Sequence, residues 1–379
     1  MEAPAERSGE PPLPPSRAES RHIGGNVPPR PQDRASPPVG KVGWREPPGR
    51  RLLPAAILLL VLAIFAGVFW GTADLPWEAR LKALLRLDDA ERHLVFIVWE
   101  WRLPRVLSVA LVGGALSLAG LLMQALLRNP LADPYLLGLS SGASAAATAG
   151  IVWLPATLVA SAGLPILAFG GAIAAFAVTL ALSLQPGRGM DRLVLILAGV
   201  AVSLFFQSAS AFFLHLADPH TTRAALSWLM GSAAGAKWTD LVPLALALPA
   251  AFALTLALAP MLDAVLIGDE RAAALGVPLG ALRAGLFSVA ALLTGLAVAG
   301  AGIVGFVGLV VPHMARLLTG ATHRRLVPLA VVLGMVVLVV VDLLCRMLLA
   351  PEELPLGVLL ALFAAPPFVL ILKRVRRGL

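Results

Sequence analysis

The chain has 379 residues, 58% of them in the apolar set and 14% charged, with a mean hydropathy of +0.85, which excludes an ordinary soluble domain and indicates a polytopic membrane protein. A disulfide scaffold is excluded because Cys345 is the sole cysteine and lies in an apolar run. The histidines are too scattered for a metal centre, since only His215 and His220 lie close together, and the net charge of +8 is explained more simply by basic cytoplasmic loops than by nucleic acid.

Residues 1–51 are rich in Pro, Gly, Ser, Arg and Glu and show no hydrophobic period. They cannot bury enough apolar area to offset the entropy of ordering, and read as a disordered cytoplasmic tail. The first apolar run, Leu52 to about Gly71, starts too far along for a cleaved signal peptide and is long enough to span. From Thr72 to Arg105 the apolar pattern breaks, and Trp77, Leu81, Leu84 and Leu85 recur at helical spacing, which predicts a short amphipathic helix on the membrane surface. Spans follow at about Val106 to Leu127, Tyr135 to Leu154, Leu164 to Leu184 and Leu193 to Leu216. After them come Leu241 to Leu258, Ala284 to Ile303, a short run from Phe306 to Leu318 that Pro312 can bend, Leu326 to Leu348, and Leu356 to Leu372. The fold class expected is therefore an all-α polytopic membrane protein of about ten transmembrane helices.

With both termini cytoplasmic, 21 of the 30 Lys and Arg residues fall inside and 9 outside, in line with the positive-inside rule. The exception is the first outer loop with its exit, where Arg80, Lys82, Arg86, Arg92, Arg102 and Arg105 crowd together.

The motifs lie between and within these runs. Arg102-Leu-Pro-Arg105 opens the second span, which carries Gly113, Gly114 and Gly120. Arg128-Asn-Pro-Leu-Ala-Asp-Pro-Tyr-Leu-Leu-Gly138-Leu-Ser-Ser-Gly142 leads into the third, through a connection that its prolines make turn-rich. Trp228-Leu-Met-Gly231 precedes the sixth span, and Ile267-Gly-Asp-Glu-Arg-Ala-Ala-Ala-Leu-Gly276-Val follows it. Then come Gly302-Ile-Val-Gly305-Phe-Val-Gly308-Leu-Val-Val-Pro312-His313-Met-Ala-Arg316 and Glu353-Leu-Pro-Leu-Gly357. Gly138 and Gly142 have the spacing that lets helix backbones approach closely, and Gly302, Gly305 and Gly308 would keep a smooth stripe on one helix face. Packing and lining of a pathway are both open for these glycines.

Asp342 and Arg346 are four residues apart and can pair on one face near the outer end of the ninth span. Pro260 to Leu266 and Asp269 to Leu275 read as two short cytoplasmic helices separated by Gly268, with Asp269 able to cap the second and Gly276 to end it.

Over about residues 52–375 these motifs, in this order, resemble the FecCD-like permeases of type II ATP-binding-cassette (ABC) importers, which move iron(III)-siderophores, haem and cobalamin. The tail through residue 51 has no counterpart there. The resemblance implies a permease of the bacterial inner membrane that works with a second copy of itself, an ABC ATPase subunit and an extracytoplasmic binding protein. It implies that Arg102, Arg105 and Arg346 dock the binding protein, although snorkelling to lipid headgroups is open for the first two. It implies that the helix pair at about 260–277, with Ile267, Gly268, Asp269, Glu270, Ala274, Leu275, Gly276 and Val277, couples to the ATPase. Gly189, Met190 and Asp191 become a candidate inner gate.

No phosphate-binding loop is present: Lys41 of the sole Gly-Lys pair is followed by Val42, and Ala35 stands where the earlier glycine belongs. ATP and magnesium are thus expected to be used by another chain, and this chain is expected to bind no cofactor. An ion-gradient-driven transporter would want ionisable groups at mid-membrane, and an embedded enzyme would want clustered carboxylates, histidines or cysteines; neither pattern is visible.

Overall fold

The computed structural model describes residues 49–71, 76–87, 91–159, 163–185 and 189–377, so the expected tail lies almost wholly outside the described residues. The chain is built of helices. They are α1 (Gly49–Phe69), α2 (Trp77–Leu85), α3 (Arg92–Phe96), α4 (Leu103–Leu127), α5 (Leu139–Trp153), α6 (Ala156–Leu158), α7 (Leu164–Ser183) and α8 (Arg192–Leu216). They continue as α9 (Pro219–Leu229), α10 (Trp238–Ala257), α11 (Ala259–Ile267), α12 (Asp269–Ala274), α13 (Leu279–Ala301), α14 (Val307–Thr319), α15 (His323–Met347) and α16 (Leu356–Arg377). A two-residue hairpin, β1 (Leu184–Gln185) with β2 (Gly189–Met190), pairs Leu184 with Met190.

Among the described residues, seven helical segments are long and apolar enough to cross a membrane. The expected spans at Tyr135, Phe306 and Leu356 correspond to α5, α14 and α16. Two of these are short: α5 has 15 residues and α14 has 13. The third expected span is trimmed because Asp133 accepts the Tyr135 N–H at 2.8 Å and starts a 3-10 turn, Pro134–Leu137, which Gly138 ends at φ +83°. The second span is longer than expected. α3 runs through a π-helical turn, Ile97–Arg102, directly into α4, giving one 36-residue segment from Arg92 to Leu127. Arg102 and Arg105 depress the local hydropathy, but they are buried inside the bundle and do not interrupt the helix.

α4 is the hub. Its apolar window is 89% buried, against 28% for α1, α8 and α10, and α1, α10, α13, α14 and α15 all pack on it. Close approach depends on glycine. A Cβ at Gly113 would lie 2.2 Å from the Gly334 carbonyl oxygen on α15, and one at Gly120 would lie 1.9 Å from that of Gly308 on α14. Gly142 and Gly171 make the same contact between α5 and α7. Small residues do here what apolar driving force cannot do in lipid. Polar side chains then fix the register: Ser117 donates to the Ala330 carbonyl at 2.7 Å, and Gln124 to the Leu309 carbonyl at 3.0 Å.

The even stripe expected of Gly302, Gly305 and Gly308 is not formed. Gly302 ends α13 at φ +68°, Gly305 lies in the link with open space around it, and Gly308 sits in α14, so the three share no helix face.

Candidate functional site

Two clusters stand at opposite ends of the antiparallel pair α4 and α15. The first gathers Arg80, Arg102 and Arg105 with Arg346 of α15. Arg105 donates Nε to Asp342 Oδ1 at 2.9 Å and Nη1 to Glu353 Oε2 at 2.8 Å. Arg346 pairs with the other oxygen of Asp342 at 3.0 Å and donates to the Trp70 carbonyl at 3.0 Å. Arg102 donates to the Val68 and Phe69 carbonyls at 3.1 Å, and Arg80 adds a bond to Phe69 at 2.9 Å. Three guanidinium groups thus converge on the last carbonyls of α1, which its own backbone leaves without partners and which carry the negative end of the helix dipole.

Arg102, Arg105 and Arg346 are only 7, 8 and 3% exposed. Internal carboxylates and carbonyls hold their charge, and the three side chains fasten α1, α4 and α15 together. At the same end, Arg86, Arg92, Arg223 and Lys237 are exposed cations.

The second cluster is the short-helix pair. α11 and α12 are joined by Gly268 at φ +141° and ψ +151°, a backbone conformation open to glycine. Gly276, at φ +81°, ends α12 as expected, its N–H bonding the Ala273 carbonyl at 2.9 Å while the Val277 N–H bonds that of Ala272 at 3.0 Å. Asp269 does not cap the helix. It is the first helical residue, and its carboxylate pairs with Arg283 at 2.8 Å and lies 3.7 Å from Arg128. Burial of Leu262, Val265 and Ala272 anchors the pair, while Ile267, Glu270, Ala274, Leu275 and Gly276 are exposed and Val277 is half-buried. The result is an exposed apolar knuckle flanked by the Glu270 carboxylate.

Gly189 and Met190 form the second strand of the hairpin, and Asp191 caps α8 by accepting the Leu193 N–H at 2.7 Å. Gly302 packs against the Trp228 carbonyl, Gly357 against those of Ile303 and Met230, and Leu356 N–H bonds the Gly231 carbonyl at 3.0 Å, so the ends of α9, α13 and α16 meet. The Tyr135 hydroxyl donates to the Val304 carbonyl at 3.1 Å and holds the α13–α14 link to the turn before α5. Gly114 meets Met335, and Gly138 meets Val202.

Burial raises the carboxyl of Asp133, in the turn before α5, from 3.8 to about 6. The folded chain thus holds the Asp133 proton more tightly than the unfolded chain, so the stability this gives is complete below about pH 4 and is lost as pH rises through about 6. Asp133→Asn should flatten that part of the profile: thermal midpoints in detergent at pH 4.5 and 7.5 should lie closer together than in wild type, and an unchanged gap would contradict the assignment.

A cavity of about 780 Å³ lies among α7, α9, α10 and α13, with walls including Phe169, Trp228, Leu244 and Leu296 and with Thr239 and Asp240 at its polar part. Among the described residues no group of three His, Cys, Asp or Glu could hold a metal ion.

Sequence reasoning missed Arg80, Tyr135 and Glu353 as partners in these networks. Arg105 and Glu353 are 248 residues apart, so no local signal could have joined them.

Residues 59–374 match the profile of the FecCD transport family. The chain is 38% identical over 329 residues to the Fe(3+) dicitrate transport system permease protein FecD of Escherichia coli (strain K12), covering 85% of this chain and 99% of that one. It is 37% identical over 331 residues to the hemin transport system permease protein HmuU of Yersinia pestis, covering 86% and 96%. Among solved structures, a metal-chelate type ABC transporter in an inward-facing conformation superposes with a TM-score of 0.75 at 27% identity, covering 86% of this chain and 99% of that one.

Proposed function

The chain belongs to the FecCD transport family, and from that premise we propose that it is the transmembrane permease subunit of an ABC importer that carries an iron(III)-siderophore type chelate across the bacterial inner membrane. Haem or cobalamin is the alternative cargo. The observation that carries the reading is the α11–α12 pair, which leaves Ile267 and Leu275 exposed, as a surface that seats in a cleft on a partner ATPase would. Both termini are cytoplasmic in this reading, and α5, α14 and α16 complete ten spans. A second copy closes the pathway, and a binding protein delivers the chelate at the arginine-rich end. Docking there uses exposed cations around the buried cluster, acting through encounter rate and orientation.

The permease performs no covalent chemistry. ATP-driven closure of two ATPase subunits displaces the helix pair and changes which mouth of the pathway is open, and Gly189 to Asp191, between α7 and α8, form the inner gate. The mostly apolar surfaces within the bundle do not read out a chelate, so selectivity resides mainly in the binding protein.

The test is purification in detergent, identification of copurifying chains by mass spectrometry, and transport in proteoliposomes. Gly268→Pro with Glu270→Arg should leave the bundle folded yet cut transport roughly tenfold or more, because proline fixes φ near −65° where the chain needs a positive value. Protein that is free of ATPase and still transports under an ion gradient would overturn the reading in favour of a secondary transporter.

A further inference from the structure

α15 lacks a cap of its own. Thr322, the residue before it, makes no side-chain cap bond, and Asp263 of α11 supplies one from outside. Its Oδ1 accepts the His323 backbone N–H at 3.0 Å and meets the ring Nδ1 at 2.6 Å. The His323 side chain is fully buried, so its half of the contact is sealed in the bundle. At the other end of the same helix, Asp342 and Arg346 hold Arg105 and the end of α1. Between the two ends lie 25 residues of helix, about 37 Å at 1.5 Å per residue. Pro328 removes one backbone bond near the start without ending the helix. α12 is tied elsewhere, through Asp269 to Arg283 of α13 and toward Arg128 beyond α4.

We propose that Asp263 is the positioning residue that passes a displacement of the α11–α12 pair to α15, which carries it along its length to the Asp342 cluster. The inference rests on the importer reading above. An isolated salt bridge on a surface would transmit little, but one carboxylate here holds both the backbone and the buried ring of the first residue of α15, tying α11 to it through two bonds. The buried His323 ring fixes the contact from the other side.

The experiment uses the assembled complex with its copurified ATPase in proteoliposomes. Spin labels at Met347 and Leu204, both exposed, report the distance between the far end of α15 and α8 with and without ATP; native Cys345 is buried and does not compete for label. Wild type should show an ATP-dependent shift. Asp263→Ala should lose most of it, and chelate transported per ATP hydrolysed should fall roughly two- to thirtyfold, the span of such coupling changes. Asp263→Asn, which keeps the acceptor oxygen, should restore most of the shift; a merely structural role would not be read in this distance. If Asp263→Ala fails to assemble, His323→Ala carries the test and should lose about half the shift, since one of the two bonds remains. A wild-type shift in the assembled alanine variant overturns the inference alone. No ATP-dependent shift in a wild-type complex that still transports on ATP overturns the inference alone, whereas a complex that does not transport on ATP overturns the importer reading and this inference with it.

Discussion

Replacing Asp342 with alanine should cost about 3–5 kcal/mol of stability, because it leaves buried charge without compensation. Asp342 is 1% exposed and serves two arginines, Arg105 through Oδ1 and Arg346 through Oδ2. Without it Arg105 keeps Glu353, whereas Arg346 loses its carboxylate and is left with the neutral Trp70 carbonyl. The thermal midpoint in detergent should fall on the order of 10 °C. Asp342→Asn should lie between, because an amide still accepts hydrogen bonds but supplies no charge. Asp342→Leu combined with Arg346→Met should recover part of the loss, since exchanging a buried pair for well-packed apolar groups is often neutral. A midpoint within a degree or two of wild type in the alanine variant would show that the cluster is not the fastening described.

A comparable effect is expected at Gly120. Its added Cβ would stand 1.9 Å from the Gly308 oxygen and 2.4 Å from the carbonyl carbon and Cα of the same residue. These are backbone atoms, so no rotamer change relieves the clash. Gly308 is itself held, with atoms of Leu116 and Pro134 only 3.0 Å from where its own Cβ would stand, leaving α14 nowhere near to retreat. Gly120→Val should therefore lose about 3 kcal/mol or more, the upper range for overpacking, and most of the folded yield. Gly285→Ala is the control: it lies inside α13 with nothing within 4 Å of an added Cβ, and should be neutral or stabilised by up to about 1 kcal/mol. Equal losses in both would mean that glycine matters here for reasons other than close contact.

The sequence was legible where a signal is local. Long apolar runs mark α1, α7, α8, α10, α13 and α15 because the bilayer demands them whatever the neighbours are. Gly268 and Gly276 mark the short-helix pair because turns and helix ends are decided within a few residues. What could not be read depended on distant partners. Arg102 and Arg105 looked like a polar break before a span, yet carbonyls of α1 and carboxylates near α15 and α16 neutralise them inside a continuous helix. Asp269 looked like a cap by position, but Arg283 draws its carboxylate away. The glycines at 302, 305 and 308 kept a helical spacing that the chain abandons, with Gly302 and Phe306 both at positive φ.

The contacts of Gly113 with Gly334, Gly120 with Gly308 and Gly142 with Gly171 have a mechanical consequence. Each sets main chain against main chain, with the small Ser117, Ala146 and Ala175 side chains beside the contacts. When ordinary helices slide, interlocked side chains must lift out and reseat in new rotamers, which is why most packed interfaces move in steps. At the first two crossings the Ser117 and Gln124 bonds also pin α15 and α14 to α4 in register. A push on α15 is therefore shared with α4 and α14 and is not spent on sliding between them.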